Sequence, residues 1–244
     1  MKPESEASPQ TEIREARHEK FAASESLGSD IVLFRFPIID WNYRWQRPQQ
    51  ICRQFAQNGT RVFYFSIETT GIQNPEATYE DIQSQLRVEE VESNVWVVRL
   101  CSFSSLNAYR DLIKPLDKRY LNWSIEALKA RFDIRPTVYI IDLPFWSMLV
   151  FDLKHNKTIY DCMDEHSGFS NSNEELLALE PALVKKADIV VASSNSLYRK
   201  AKAFADSVEL IPNAGEFEFF ASRPSELPDE LKSMKGPVIG YIGA

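Results

Sequence analysis

From Asp30 onward, short apolar runs alternate with segments of helical pattern, and this alternation constrains the fold more than any other feature of the sequence. IVLFRF (31–36) is followed by a helix expected to begin near Pro48, then by RVFYFS (61–66). VWVVRL (95–100) precedes a helix expected over roughly 106–132. TVYIID (137–142) leads into LPFWSMLVFDL, and KTIYDC (157–162) into a Glu/Leu-rich helical segment over 173–187. DIVVASS (188–194) leads into SLYRKAKAFA, and VELIP (208–212) closes the series. Strands that alternate with helices require right-handed crossovers, which predicts an α/β fold with a mostly parallel sheet covered on both faces. The runs are rich in Val, Ile and Tyr and nearly continuous, as strands buried on both faces should be.

Local signals agree with this reading. Pro48 suits the first helical position, where its missing N–H is not needed. Ile51, Cys52, Phe55 and Ala56 then fall on one stripe, and Gly59 suits the left-handed position that ends the helix. Ser172-x-x-Glu175 has the spacing of a capping box for the next long helix, which Pro181 breaks or restarts. Lys185 and Lys186 sit near its end, where cations complement the helix dipole.

The flanks read differently. Residues 1–29 are poor in apolar side chains and are expected to form a disordered tail. The stretch 222–236 is rich in proline and charge and reads as a linker with one helical turn, giving a body over 30–221. PVIGYIGA ends the chain in an apolar run over 237–244 that predicts the first strand of a second domain.

Composition excludes several classes. A net charge of −7 over 244 residues argues against a nucleic-acid partner, because neutralising phosphates needs a Lys/Arg excess. No stretch reaches the ~18 apolar residues needed to span a bilayer, and the first ten residues lack a signal peptide's apolar segment. Cys52, Cys101 and Cys162 form no C-x-x-C pair and read as small core residues in a cytoplasmic protein. No G-x-G-x-x-G, G-x-x-x-x-G-K-[ST] or G-x-S-x-G occurs, which argues against dinucleotide binding, a P-loop and an α/β-hydrolase.

In an open parallel sheet, ligands bind beyond the carboxyl ends of the strands. Two of the loops placed there are chemically dense. In PIIDWNYRWQRPQQ, Arg47 is expected just outside the helix opened by Pro48, because the residue before proline avoids the α region. A cation facing the positive end of a helix dipole needs an anionic partner, either Asp40 or a bound phosphate or carboxylate. Trp41, Tyr43 and Trp45 could supply a stacking surface for a sugar or pin the loop onto the domain. In YDCMDEHSGFS, Asp164 and His166 stand beside Asp161 and Glu165, and clustered carboxylates next to an imidazole suit acid–base work. No metal is expected, since no second His or Cys stands at ligand spacing.

WQRPQQICRQFAQNGTRVFYFS, YDCMDEHSGF, ADIVVASSNSLY, LIPNAGEFEFF and PVIGYIGA, in that order, resemble the N-terminal half of a family 4 glycosyltransferase of the GT-B fold. The bacterial group that builds cell-surface polysaccharide, with W-Q-R-P near its start, is the nearest in character. The resemblance covers about residues 30–244. It implies a Rossmann-like acceptor-side domain, with the donor held mainly by a second domain. The implied reaction is retaining transfer of a sugar from a nucleoside-diphosphate sugar to a hydroxyl, without cofactor or essential metal.

The family's P-N-G-V-D-x-x-x-F falls on Pro212, Asn213, Ala214, Gly215, Glu216 and Phe220, with the turn kept in kind. Many relatives place a functional histidine where this chain has Met163, which leaves Asp164 and His166 as the catalytic candidates. Trp41, Gln46 and Arg47 are the acceptor-binding candidates, and Gly243 begins a loop that approaches donor phosphates in the family. The resemblance further implies that the chain stops after the first strand of the donor domain and is inactive by itself. Its partners would be a nucleotide-sugar donor and a sugar or lipid-linked acceptor, met in the cytoplasm at the inner face of the membrane. Two alternatives stand beside this: a free-standing binding module of GT-B origin, and half of a nucleotide-sugar epimerase.

Overall fold

Strand β1 (Val32–Phe36) is buried along its whole length, and its residues divide strictly by parity. Val32, Phe34 and Phe36 face one core, whereas Leu33 packs into another on the opposite side. This period-two division is what a central strand covered on both faces must have. The computed structural model describes residues 31–135, 137–153, 156–166, 173–217, 221–222, 226, 228–234, 236 and 239–240. The chain divides into two units, Met1–Pro212 and Asn213–Ala244.

In the first unit, the strands after β1 are β2 (Arg61–Phe65), β3 (Thr70–Gly71), β4 (Arg87–Glu92), β5 (Val95–Arg99) and β6 (Cys101–Ser102). They continue with β7 (Thr137–Ile141), β8 (Asn156–Cys162), β9 (Ile189–Ala192) and β10 (Val208–Leu210). Eight of them form one sheet in the order β10-β9-β8-β7-β1-β2-β5-β4, while β3 and β6 pair separately. Every pairing in the large sheet is parallel except β4 with β5, whose ladder shifts register between Glu90 and Glu92. The order runs outward from β1 in both directions, so the topological switch point lies between β1 and β7.

Helix α1 (Arg47–Gln57) covers one face of the sheet. On the other lie α3 (Pro115–Arg131), α4 (Ser147–Val150), α5 (Glu174–Leu177), α6 (Glu180–Lys186) and α7 (Asn195–Lys202). The short α2 (Tyr79–Gln85) packs with Tyr120 and Cys101 in a third, smaller core. The result is a Rossmann-like α/β fold, as the alternation of apolar runs requires.

Several boundaries differ from expectation for identifiable reasons. The helix expected over 106–132 begins only at Pro115, because Lys114 is held extended (φ −76°, ψ 160°) in front of the proline. Arg47 lies inside α1 as its first residue, with Gln46 as N-cap. Asn173, not Ser172, caps α5, its side chain accepting from the Glu175 amide; Ser172 lies outside the described residues. Pro181 does restart the helix as α6, and Lys185 and Lys186 end it. Strand β4 was hidden by its sequence: RVEEVE carries the charge expected of an exposed edge strand, not an apolar run.

Gly59 adopts φ +86° directly after α1, and a Cβ there would meet nothing within 4 Å. The constraint is therefore backbone conformation alone. Gly59→Val is expected to lose about 1–2 kcal/mol of stability, measured by urea unfolding. An unchanged midpoint would overturn the left-handed assignment.

All three cysteines are free and buried. Burial pushes the Cys52 and Cys162 thiols up to about 12 and raises that of Cys101. Because only thiolate attacks alkylating reagents, iodoacetamide should label none of them in the native chain and all three after unfolding. Rapid native labelling at any of them would contradict this packing.

The second unit contains α8 (Asp229–Lys232), a single turn with Lys232 Nζ 2.6 Å from Asp229 Oδ1. It falls where one helical turn was expected. Ile239 and Gly240 are described without regular structure. The rest of the expected strand over 237–244, the expected tail over 1–29, Phe220 and Gly243 lie outside the described residues.

Candidate active site

β1 and β7 stay paired to their carboxyl ends, but the chain leaves β1 for a helix on one face of the sheet and β7 for a helix on the other. This parting of the connections at the switch point leaves a crevice where ligands bind in sheets of this kind. A cavity of about 250 Å³ occupies it. Ile38, Leu143, Pro144, Phe145 and Leu176 form its apolar wall, and Gln46, Asp164, His166 and Asn173 supply polar groups. Each polar residue arrives for a local reason. Gln46 is there because α1 starts at Arg47. Asp164 and His166 follow β8 through a turn held by Ser193, whose hydroxyl donates to the Met163 carbonyl at 2.6 Å. Asn173 stays because its amide donates to the Arg110 carbonyl at 2.7 Å. Asp164 is exposed to the cavity, whereas His166 is buried at its wall.

Beside this cavity, on the α1 face, the sheet buries an ionic network. Arg35 projects from β1 with no exposed surface. Its Nε donates to Asp142 Oδ2 at 3.0 Å, and its Nη2 lies 2.6 Å from Asp142 Oδ1 and 2.9 Å from Asp161 Oδ2. Arg47 completes Asp161 from above, with Nη2 donating to Oδ1 at 2.9 Å. Its Nη1 donates to the Ile211 carbonyl at 2.9 Å. Burial alone would make Arg35 easier to deprotonate, but the carboxylates of Asp142 and Asp161 outweigh it and raise its pKa. Burial pushes Asp142 up to about 7, against the pull of Arg35.

The expected Arg47–Asp40 pair does not form. Arg47 satisfies its charge at Asp161, while Asp40 Oδ1 accepts from the Ser66 hydroxyl at 2.6 Å and the Ile67 amide at 3.0 Å. The loop is pinned instead by Gln49, which has no exposed surface. Its side-chain amide donates to the carbonyls of Asp40, Trp41 and Arg44 at 3.0–3.3 Å, and its Oε1 accepts from the Gln46 amide at 3.2 Å. Sequence reading missed Gln49 and Arg35. The signal available for Arg35 was a lone cation inside an otherwise apolar strand.

The structure thus gathers Gln46, Asp164 and His166 around one cavity and sets the other candidates apart. Trp41 is buried edge-on against Tyr64 and Trp45, with ring centroids 5.2 Å away in each case. Trp45 carries Arg53 over its face at 3.9 Å. Arg47 borders a different, apolar groove, with Ile51, Phe55 and Ile211. Among the described residues no cluster of three or more His, Cys, Asp or Glu could hold a metal ion, and no helix is long and apolar enough to cross a membrane.

No protein-family model matches the chain, and no curated protein matches it. Among solved structures, the chain is similar to a sucrose-phosphate synthase from Thermosynechococcus elongatus, with 14 % identity and a TM-score of 0.50. The match covers 78 % of this chain and 93 % of that one. At this identity the likeness speaks for the fold alone: a Rossmann-like α/β domain consistent with the N-terminal domain of a GT-B fold.

Proposed function

We infer that this chain is the acceptor-side domain of a retaining glycosyltransferase, acting in cell-surface polysaccharide synthesis. The observation that carries the reading is the convergence of Gln46, Asp164 and His166 on an apolar-walled cavity at the switch point. A sugar presents hydroxyls along its edge and C–H groups on its faces. A pocket with an apolar wall opposite a carboxylate and an amide suits both.

In the reaction, the acceptor oxygen bonds to the anomeric carbon, the bond from that carbon to the diphosphate breaks, and the hydroxyl proton passes to the departing diphosphate. Asp164 can accept the hydrogen bond of the reacting hydroxyl and orient its lone pair, and Gln46 can hold a neighbouring hydroxyl. His166 fixes the far wall. Arg47 serves the site indirectly: by clamping Asp161 it ties the start of α1, and so Gln46, to the end of β8, from which Asp164 follows. The donor is a nucleoside-diphosphate sugar, and Gly243 is the residue of this chain assigned to its contact. Trp41 supports the acceptor loop from beneath, and a lipid-linked acceptor would bring the domain to the membrane's inner face.

Saturation-transfer NMR with a panel of hexoses and their nucleoside-diphosphate derivatives tests the reading. The hexoses should receive saturation, and Asp164→Asn should weaken their binding roughly tenfold or more while leaving thermal stability intact. If no sugar binds, or if Asp164→Asn binds every sugar as well as the parent, the reading fails.

A further inference from the structure

A second depression of about 660 Å³ lies at the carboxyl ends of β2 and β5, and its walls differ in character from those of the first. Asp40, Trp41, Tyr43, Glu68, Arg99 and Tyr109 line it. Ile39 and Tyr109 line both depressions, so the two are neighbours across one shared wall. That wall is fixed: the Tyr109 hydroxyl donates to the Ile38 carbonyl, and the Tyr64 hydroxyl donates to the Ile39 carbonyl at 2.7 Å.

Tyr43 is 63 % exposed here, although it belongs to a loop otherwise held down by Gln49 and by the packing of Trp41. The Arg44 guanidinium lies 5.4 Å from the Tyr43 ring centroid. An exposed aromatic ring flanked by polar groups offers a face on which a sugar ring can stack its C–H groups. Around it stand groups suited to vicinal hydroxyls: the Asp40 carboxylate and the Glu68–Arg99 ion pair, 2.9 Å apart.

We propose that the acceptor is an oligosaccharide of at least two units, with its reacting unit in the cavity at the switch point and a preceding unit in the depression over Tyr43. The chain of the acceptor then runs from the end of β8 across Tyr109 towards the ends of β2 and β5. This rests on the glycosyltransferase reading above and adds to it a substrate class and a direction. A mixed-charge surface with an exposed aromatic ring fits a polyol with apolar faces better than it fits an acyl chain or a polyanion.

The test is binding of the chain to an array of mono- to tetrasaccharides of defined linkage, with Tyr43→Ala alongside. Tyr43 is exposed, so this variant keeps the fold. The expected result is that some di- or longer saccharide binds at least tenfold more tightly than its own terminal monosaccharide. Tyr43→Ala should remove about tenfold from the oligosaccharide and nothing from the monosaccharide. Equal binding of mono- and oligosaccharides, insensitive to Tyr43→Ala, would overturn the extended acceptor while leaving the sugar-binding reading in place. If no saccharide binds at all, both fall together.

Discussion

Arg35→Met is expected to cost about 3–5 kcal/mol of folding stability, read as a fall in the urea midpoint, because it leaves a buried carboxylate without its counter-charge. Asp142 would keep no cation in contact, having lost both bonds to Arg35, whereas Asp161 would still hold Arg47. Methionine fills most of the vacated volume, so the loss is chiefly electrostatic. Two further readouts separate this from simple misfolding. In the double variant Arg35→Met/Asp142→Leu the uncompensated carboxylate is gone, so it should be more stable than the single variant.

The second readout is pH. Asp142 already titrates near 7 in the folded chain, above its ordinary value, so its own contribution to stability declines as pH rises from about 4 to 7. Without Arg35 its pKa climbs further. The cost of Arg35→Met should therefore grow as pH rises above about 7, where the parent's carboxyl ionises and the variant's retains its proton. A loss that is small and independent of pH would mean that water reaches the network.

Trp146→Ala is expected to be comparably damaging, at about 3–5 kcal/mol, lowering the melting temperature by on the order of 10 °C. Trp146 is 1 % exposed and packs against Phe36 and Phe145, with ring centroids 5.5 and 4.9 Å away. Its indole N–H donates to the Pro37 carbonyl at 2.9 Å, tying the end of β1 to the turn after β7. Those are the two strands whose onward connections part to leave the cavity. Truncation creates a void and removes the carbonyl's partner together. Trp146→Phe should lose less, keeping much of the ring volume while forfeiting the bond. Calorimetry on the three proteins measures this; an alanine variant as stable as the phenylalanine one would show that the void collapses.

The fold was legible because burial writes itself into composition. A strand covered on both faces must be apolar, so β1, β2, β5, β7, β8 and β9 stand out as runs, with helical patterns in the gaps. Gly59 and Pro181 were legible for a related reason, since each fixes backbone geometry by itself. Strand β4 was not, because an edge strand that meets solvent can be built from charge. The delayed start of α3 was missed although Pro115 announced it.

The candidate site divides along the same line. That the loops after β1 and β8 carry the dense chemistry follows from sequence alone, as do Gln46, Asp164 and His166 as residues worth watching. Which of them meet was decided by tertiary structure. Asp40 and Arg47 are close in sequence, yet Arg47 turns to Asp161, more than a hundred positions away, because parallel pairing brings β8 near β1 and burial makes an unpaired carboxylate costly there. Asp40 is taken instead by the Ser66 hydroxyl and the Ile67 amide beyond β2. Local patterns thus determined which segments are strands and helices, because each residue's preference depends on its neighbours in the chain. The partners of charged side chains depend on what a fold desolvates together, and that is a property of the packed sheet, not of any segment of it.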